Sequence, residues 1–168
     1  LDYIVITHPH RDHIAGVGPL RQALGGALAV HKSGQEEANR SLARKKLPPV
    51  DLVVTDGDVI DLGGLALQLI HTPGHDTGHL CIYEPHLRAL FSGDNILGLG
   101  TTAISPRRGG GMAVYLDSLR RLEAFDIDII LPGHGPPIRS AKRKVAELLQ
   151  HRLEREVQVL GLVRDGVP

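Results

Sequence analysis

At 168 residues, with 19 Lys and Arg balanced by 19 Asp and Glu, the chain holds one domain with a real core and is too short for two full ones. Zero formal net charge and a pI near 7.3 exclude a global electrostatic pull toward nucleic acid or anionic membrane, so any such binding has to be local. The single cysteine, Cys81, excludes an internal disulfide and a multi-cysteine zinc site, and no apolar run approaches the roughly 18 residues of a membrane span, which fits a cytoplasmic protein without a membrane partner.

In chain order, residues 2–7 form a short β-branched strand that runs into a histidine-rich turn. Residues 14–24 read as a helix closed by Gly25 and Gly26. A strand over 27–30 comes next, then a polar helical or irregular stretch over 33–46, ended by Pro48 and Pro49. Strands are predicted at 52–54, 59–62 and 65–71, separated by hairpin-type turns at Asp56-Gly57-Asp58 and Gly63-Gly64. A second meander, 79–83 and 89–92, ends at Gly93-Asp94. Beyond a glycine-rich loop the pattern predicts a helix at 113–125, a strand at 127–131 and a terminal helix from Ser140, with Leu149, Leu153, Val157 and Leu160 at three- and four-residue spacing. No internal repeat interrupts this order, which implies a layered α/β or α+β domain.

The residues that carry chemistry sit at the ends of these strands. Thr7-His8-Pro9-His10-Arg11-Asp12-His13 directly follows the first strand. Side chains two apart in an extended segment point the same way, so His8 and His10 can share one metal, while Asp12 and His13 fall where the chain turns into the helix and face a neighbouring position. His75 follows the strand at 65–71, Asp94 the strand at 89–92, and His134 the strand at 127–131, each in a Gly- or Pro-rich loop. A rigid scaffold aims side chains into one cleft from such positions. Together they supply five imidazoles and two carboxylates, enough for two metals that each keep an open position.

The motifs Thr7 to His13, Thr72-Pro73-Gly74-His75, Ser92-Gly93-Asp94 and Pro132-Gly133-His134-Gly135 resemble those of the metallo-β-lactamase superfamily over nearly the whole chain. The resemblance implies a partial αββα sandwich of mixed sheets with helices on the outer faces. It also implies that His8, His10 and His75 hold one metal, Asp12, His13 and His134 the other, and that Asp94 bridges both. Gly93-Asp94-Asn95, Gly100-Thr101-Thr102, Tyr115 to Leu119 and His151-Arg152-Leu153-Glu154-Arg155-Glu156 are similar, more narrowly, to the β-lactamase-like protein 2 branch, which includes an endoribonuclease. Members of that branch have strands before the histidine motif and a small winged-helix-like region after it. The expected division is therefore a metal-binding domain over 1–138 that lacks the upstream strands, followed over 139–168 by a helix leading into a truncated winged-helix-like region. Residues 3–6 alternate apolar side chains onto both faces, so a strand without its neighbours is expected to favour a homo-oligomer.

Two cations close together lower the pKa of a bridging water and polarise a substrate oxygen, so the expected reaction is hydrolysis of an ester-type bond. Asp12 is the candidate to orient the nucleophile or move its proton. Oxygen and imidazole ligands make a hard site that takes zinc by default and tolerates manganese or iron. The metal core does not choose between single-stranded RNA, a thiolester and another small ester. Arg107 and Arg108 are candidate contacts to a substrate phosphate or carboxylate, and His79 is a candidate support or substrate contact beside its reading as a packed strand-start histidine. The basic excess over 139–155 suits a nucleic-acid backbone, although a solvated helix face is the commoner origin of such a run. Two other readings stay open: a mononuclear iron enzyme of persulfide-dioxygenase type, and a metal-binding fragment without turnover.

Overall fold

The short β-branched runs pair into two sheets in a computed structural model that describes residues 1–105 and 110–166. Arg107 and Arg108 lie outside the described residues. The elements are β1 (Tyr3–Val5), α1 (Arg11–Ile14), α2 (Val17–Leu24), β2 (Ala27–His31), a 3₁₀ turn (Lys32–Gly34), α3 (Gln35–Arg44), β3 (Leu52–Val54), β4 (Val59–Asp61), β5 (Ala66–His71), β6 (Leu80–Glu84), β7 (Ala89–Gly93), α4 (Met112–Leu122), β8 (Ile129–Pro132) and α5 (Ala141–Arg164). Strands β1, β2 and β3 form a parallel sheet. The second sheet runs β4-β5-β6-β7-β8, antiparallel until β8 joins β7 in parallel.

Two sequence expectations are corrected here. The Asp56-Gly57-Asp58 turn does not close a hairpin: β3 pairs with β2, β4 pairs with β5, and the turn carries the chain from one sheet to the other. The helix expected over 14–24 is two helices that part at Ala15 and Gly16. Pro19 explains the break, because inside one continuous helix its ring would meet the Ala15 carbonyl, whereas in the first turn of α2 its missing N–H costs nothing. Among the described residues strand β1 is an edge strand, paired with β2 alone, as a strand without upstream neighbours is expected to be, and Tyr3 is exposed.

Three apolar layers hold the sheets and helices together. Ile6, Leu28 and Val30 pack on Ile14, Val17, Ala38 and Leu42, which seals the first sheet against its helices. Ala29 and Val54 meet Ile60, Leu69, Leu80 and Ile82 between the two sheets. Ile70, Cys81, Leu90 and Ile130 meet Tyr115, Leu119, Leu122, Ala141, Val145 and Leu148 on the far side. The alternation of each strand thus supplies one residue to each adjoining layer, and the order is helices, sheet, sheet, helices.

His31 and His71 stack where β2 and β5 end, with ring centroids 3.8 Å apart. Burial first, and the His71 ring second, push the His31 pKa down to about 4, against the pull of Asp56 and Asp58. His31 Nδ1 accepts the Ser33 N–H, which also requires the neutral ring. An unfolded chain protonates this histidine near pH 6.5, so between pH 6.5 and 4 the unfolded state binds more protons and stability falls as pH is lowered. His31→Gln is expected to flatten that part of a stability curve measured by urea unfolding. An unchanged slope would show that His31 is not its source.

Candidate metal centre

The site lies at the ends of β1, β5, β7 and β8, where each strand gives way to a loop or a helical turn. His8 leaves β1, His10 caps α1, and Asp12 and His13 ride on the first turn of α1. His75 follows β5, Asp94 directly follows β7, and His134 follows β8. All seven side chains converge on one cleft. The ligand atoms of His8, His10 and His75 lie within 4.8 Å of one another, as do those of His8, His13 and Asp94 and those of Asp12, His13 and His134.

Asp94 stands between the two ends of this cluster. Its Oδ2 is 3.7 Å from His75 Nε2 and 4.0 Å from His8 Nε2, and its Oδ1 is 3.3 Å from His13 Nε2 and 3.5 Å from His134 Nε2. Asp12 Oδ2 lies 3.1 Å from His134 Nε2 and 3.5 Å from His13 Nε2. Side chains of His8, His10, His13, His75 and Asp94 are 0% to 13% exposed, against 51% for His134 and 59% for Asp12. The cleft therefore opens on its Asp12 and His134 side.

Three of the rings, His8, His10 and His75, are aimed by what their other nitrogen meets. His8 Nδ1 is 3.1 Å from Thr7 Oγ1, and His75 Nδ1 is 2.8 Å from the Ala103 carbonyl. His10 presents Nδ1 to His75 Nε2 at 2.9 Å, with its Nε2 3.8 Å from the buried Asp76 carboxylate. Backbone space matters at the centre: a Cβ on Gly133 would lie 2.7 Å from Asp94 Oδ1 and 2.8 Å from His13 Cε1. Glycine there leaves the room in which the Asp94 and His13 side chains sit.

His79 lies beneath the cleft, fully buried, and makes no surface for a substrate. Its Nε2 accepts the Asp94 N–H at 3.0 Å, so Nδ1 carries the ring proton toward Thr72 Oγ1 at 2.9 Å. Burial, with His75 next in effect, pushes its pKa down to about 3, consistent with a neutral ring that fixes the Asp94 backbone. His71 is directed away, stacked on His31 with Nε2 bonded to the Thr77 carbonyl at 2.8 Å. Asp76, Thr7 and the Ala103 carbonyl are the supports that sequence reasoning missed. Asp76 stands next to His75, but nothing in the sequence says that it turns toward His10.

Charge follows the same arrangement. Burial, then the neighbouring rings of His79, His13, His10 and His75, hold His8 neutral far below the ordinary histidine range. Burial alone would lower His13, but the Asp94 carboxylate and then Asp12 raise it above the ordinary value. Burial would raise Asp94, yet His13, His134 and His75 hold it below the usual carboxylate range. Burial works the same way on Asp12, and its own backbone N–H with His13 and His134 outweighs it.

A family model for the metallo-beta-lactamase superfamily matches residues 1–134. The chain belongs to the metallo-β-lactamase superfamily. A "Beta-lactamase-like protein 2 homolog" from Caenorhabditis elegans is 32% identical over 98% of this chain and 52% of its own length. An "Atrochrysone carboxyl ACP thioesterase" from Aspergillus fumigatus is 32% identical over 94% of this chain and 45% of its own length. The chain thus spans about half the length of these curated relatives. Among solved structures, a β-lactamase domain protein from Burkholderia ambifaria shares the fold with a TM-score of 0.81, at 23% identity over 92% of this chain and 55% of its own. A protein solved in a di-iron-bound form is 29% identical, with a TM-score of 0.64 over 84% of this chain and 73% of its own. Among the described residues no helix is long and apolar enough to cross a membrane.

The donor set of this superfamily chain fits metal on its own geometry. Among the described residues, His8 Nε2, His13 Nε2 and Asp94 Oδ1 are buried and make no hydrogen bond. Leaving buried polar atoms unsatisfied costs about 1–3 kcal/mol each, and a cation facing these lone pairs removes that cost.

Proposed function

We propose that the chain is the metal-binding part of a hydrolase that cleaves a thioester or a similar small ester at a two-metal site. The observation that carries this reading is Asp94, whose two carboxylate oxygens face different groups of imidazoles. His8, His10 and His75 would hold one ion, Asp12, His13 and His134 the other, with Asp94 contributing to both. Zinc suits the imidazole and carboxylate donors, and iron or manganese suits them too. When bound, two such ions supply Lewis acidity and a water acidic enough to lose its proton near neutral pH.

The chain's own residues supply the rest. His8, His10, His75, His13 and Asp94 form a rigid, largely buried wall, so the substrate acyl group enters from the Asp12 and His134 side. Asp12 is the exposed anionic group at that opening and accepts the proton released as water adds to the acyl carbon. The C–S bond then breaks, and the same proton, passed from Asp12, leaves on the thiol. Water, thioester, acid and thiol balance without an oxidant, which separates this reaction from the iron-dependent oxidation considered above. The thioesterase relatives favour an acyl thioester over RNA.

Purified protein loaded with zinc and assayed on an acyl thioester, a lactone and single-stranded RNA tests this reading. The expected result is thioester turnover that chelation abolishes and added metal restores, and that Asp12→Asn lowers by roughly 100- to 10,000-fold. Near-normal turnover by Asp12→Asn would remove Asp12 from proton transfer. RNA cleavage faster than thioester cleavage at matched concentration would move the protein to phosphodiester chemistry.

A further inference from the structure

Ala141, Val145, Leu148 and Arg152 follow one another along α5 at spacings of four, three and four, so they share one face of the helix. The first three are buried in the core, and at the fourth position, where an apolar residue would continue the stripe, a guanidinium points inward instead. Arg152 Nη2 donates to the Thr102 carbonyl at 2.5 Å, and its guanidinium carbon sits 5.4 Å from the centroid of the fully buried Tyr115 ring. The peptide it grips belongs to a stretch, 97–105, with no helix or strand of its own. That stretch meets His75: Thr102 Oγ1 lies 3.2 Å from His75 Nδ1, and the Ala103 carbonyl lies 2.8 Å from the same nitrogen.

A carbonyl oxygen can only accept, so His75 Nδ1 carries a proton toward Ala103 and Nε2 is the nitrogen left facing the cleft, 3.7 Å from Asp94 Oδ2. The orientation of that ring depends on where the Thr102 and Ala103 peptides are held. We propose that Arg152 is a positioning residue for His75: from the C-terminal helix it anchors the Thr102 to Ala103 segment, and through the Ala103 carbonyl it sets the tautomer and aim of a metal-facing imidazole. The charge-assisted bond to the carbonyl fixes the segment in distance, and the planar guanidinium against Tyr115 fixes the Arg152 side chain itself. Helix α5 thereby becomes part of the metal site without touching metal or substrate. The proposal rests on the metal reading given above.

The test uses the full chain with Arg152→Met, Arg152→Lys and His75→Ala. In metal-free wild-type protein, ¹⁵N spectra of the histidine rings are expected to show His75 protonated at Nδ1. In Arg152→Met that signal should shift toward a mixture of tautomers, and zinc affinity, read by competition with a chromophoric chelator, should fall roughly 10- to 100-fold. Arg152→Lys keeps a cationic donor and should recover part of both effects. Wild-type His75 protonated at Nε2 would overturn the proposal even if Arg152→Met failed to fold. Tight zinc binding by wild type, weak binding by His75→Ala and wild-type behaviour of Arg152→Met would overturn the role of Arg152 and leave the metal reading standing. Equal affinity of His75→Ala and wild type would instead sink the metal reading, and this proposal with it.

Discussion

Replacing Asp94 with Ala is expected to cut hydrolysis by on the order of 1000-fold and to lower the metal bound per chain. Among the described residues the carboxylate is the one anionic group within reach of four imidazoles, at 3.3 Å to 4.0 Å from His8, His13, His75 and His134. Removing it takes an oxygen from both halves of the proposed site at once, whereas loss of a single histidine empties one position in one half. Asp94→Asn keeps the shape and one carbonyl oxygen but loses the charge, so it should retain more metal than Asp94→Ala and still turn over slowly. The check is kcat/KM beside metal content and a melting curve for each variant. Metal content and kcat/KM near wild type in Asp94→Ala would remove the carboxylate from the site.

Gly93→Ala is expected to damage stability and site together. Gly93 has φ of +47°, and a Cβ there would lie 2.8 Å from His79 Nε2 and 2.8 Å from Thr7 Cβ and Oγ1. The left-handed backbone costs a residue other than glycine roughly 1–2 kcal/mol, and forcing a methyl into a packed interior typically adds about 1–3 kcal/mol. For a chain of this size that corresponds to a fall in Tm on the order of 10 °C. The groups displaced are the ones that hold His8 Nδ1 and the Asp94 N–H, so metal affinity should fall as well. Gly57→Ala is the control: its φ is +82° but nothing lies within 4 Å, so it carries the backbone cost alone and leaves the site untouched. A Gly93→Ala protein that melts like Gly57→Ala and binds metal normally would show that β7 can shift without consequence.

Much of this molecule is legible in its sequence because the signals are local. β-branched runs bounded by Gly and Pro mark the strands, and the seven residues expected to gather do gather because each stands where a strand ends on the same side of the sandwich. Most of what escaped reading is non-local. Whether Leu52–Val54 pairs with the strand after it or with Ala27–His31 depends on which apolar faces meet across the two sheets, not on the Asp56-Gly57-Asp58 turn between them. Pro19 did carry a readable local signal for the break between α1 and α2, since a proline cannot sit in a continuous helix there. The supports of the site are the least legible part. The Ala103 carbonyl has no side-chain signature, Asp76 resembles any turn aspartate, and Arg152 meets Thr102 across 50 residues of sequence.

The central claim, two ions held around Asp94, is tested most directly by anomalous diffraction at the zinc edge from crystals of the zinc-loaded chain. The expected map has two peaks per chain, one among His8, His10 and His75 and one among Asp12, His13 and His134, with nitrogens at about 2.0–2.1 Å and Asp94 between them. A single peak that leaves one of these groups without metal, or zinc bound elsewhere with the cleft vacant, would contradict it.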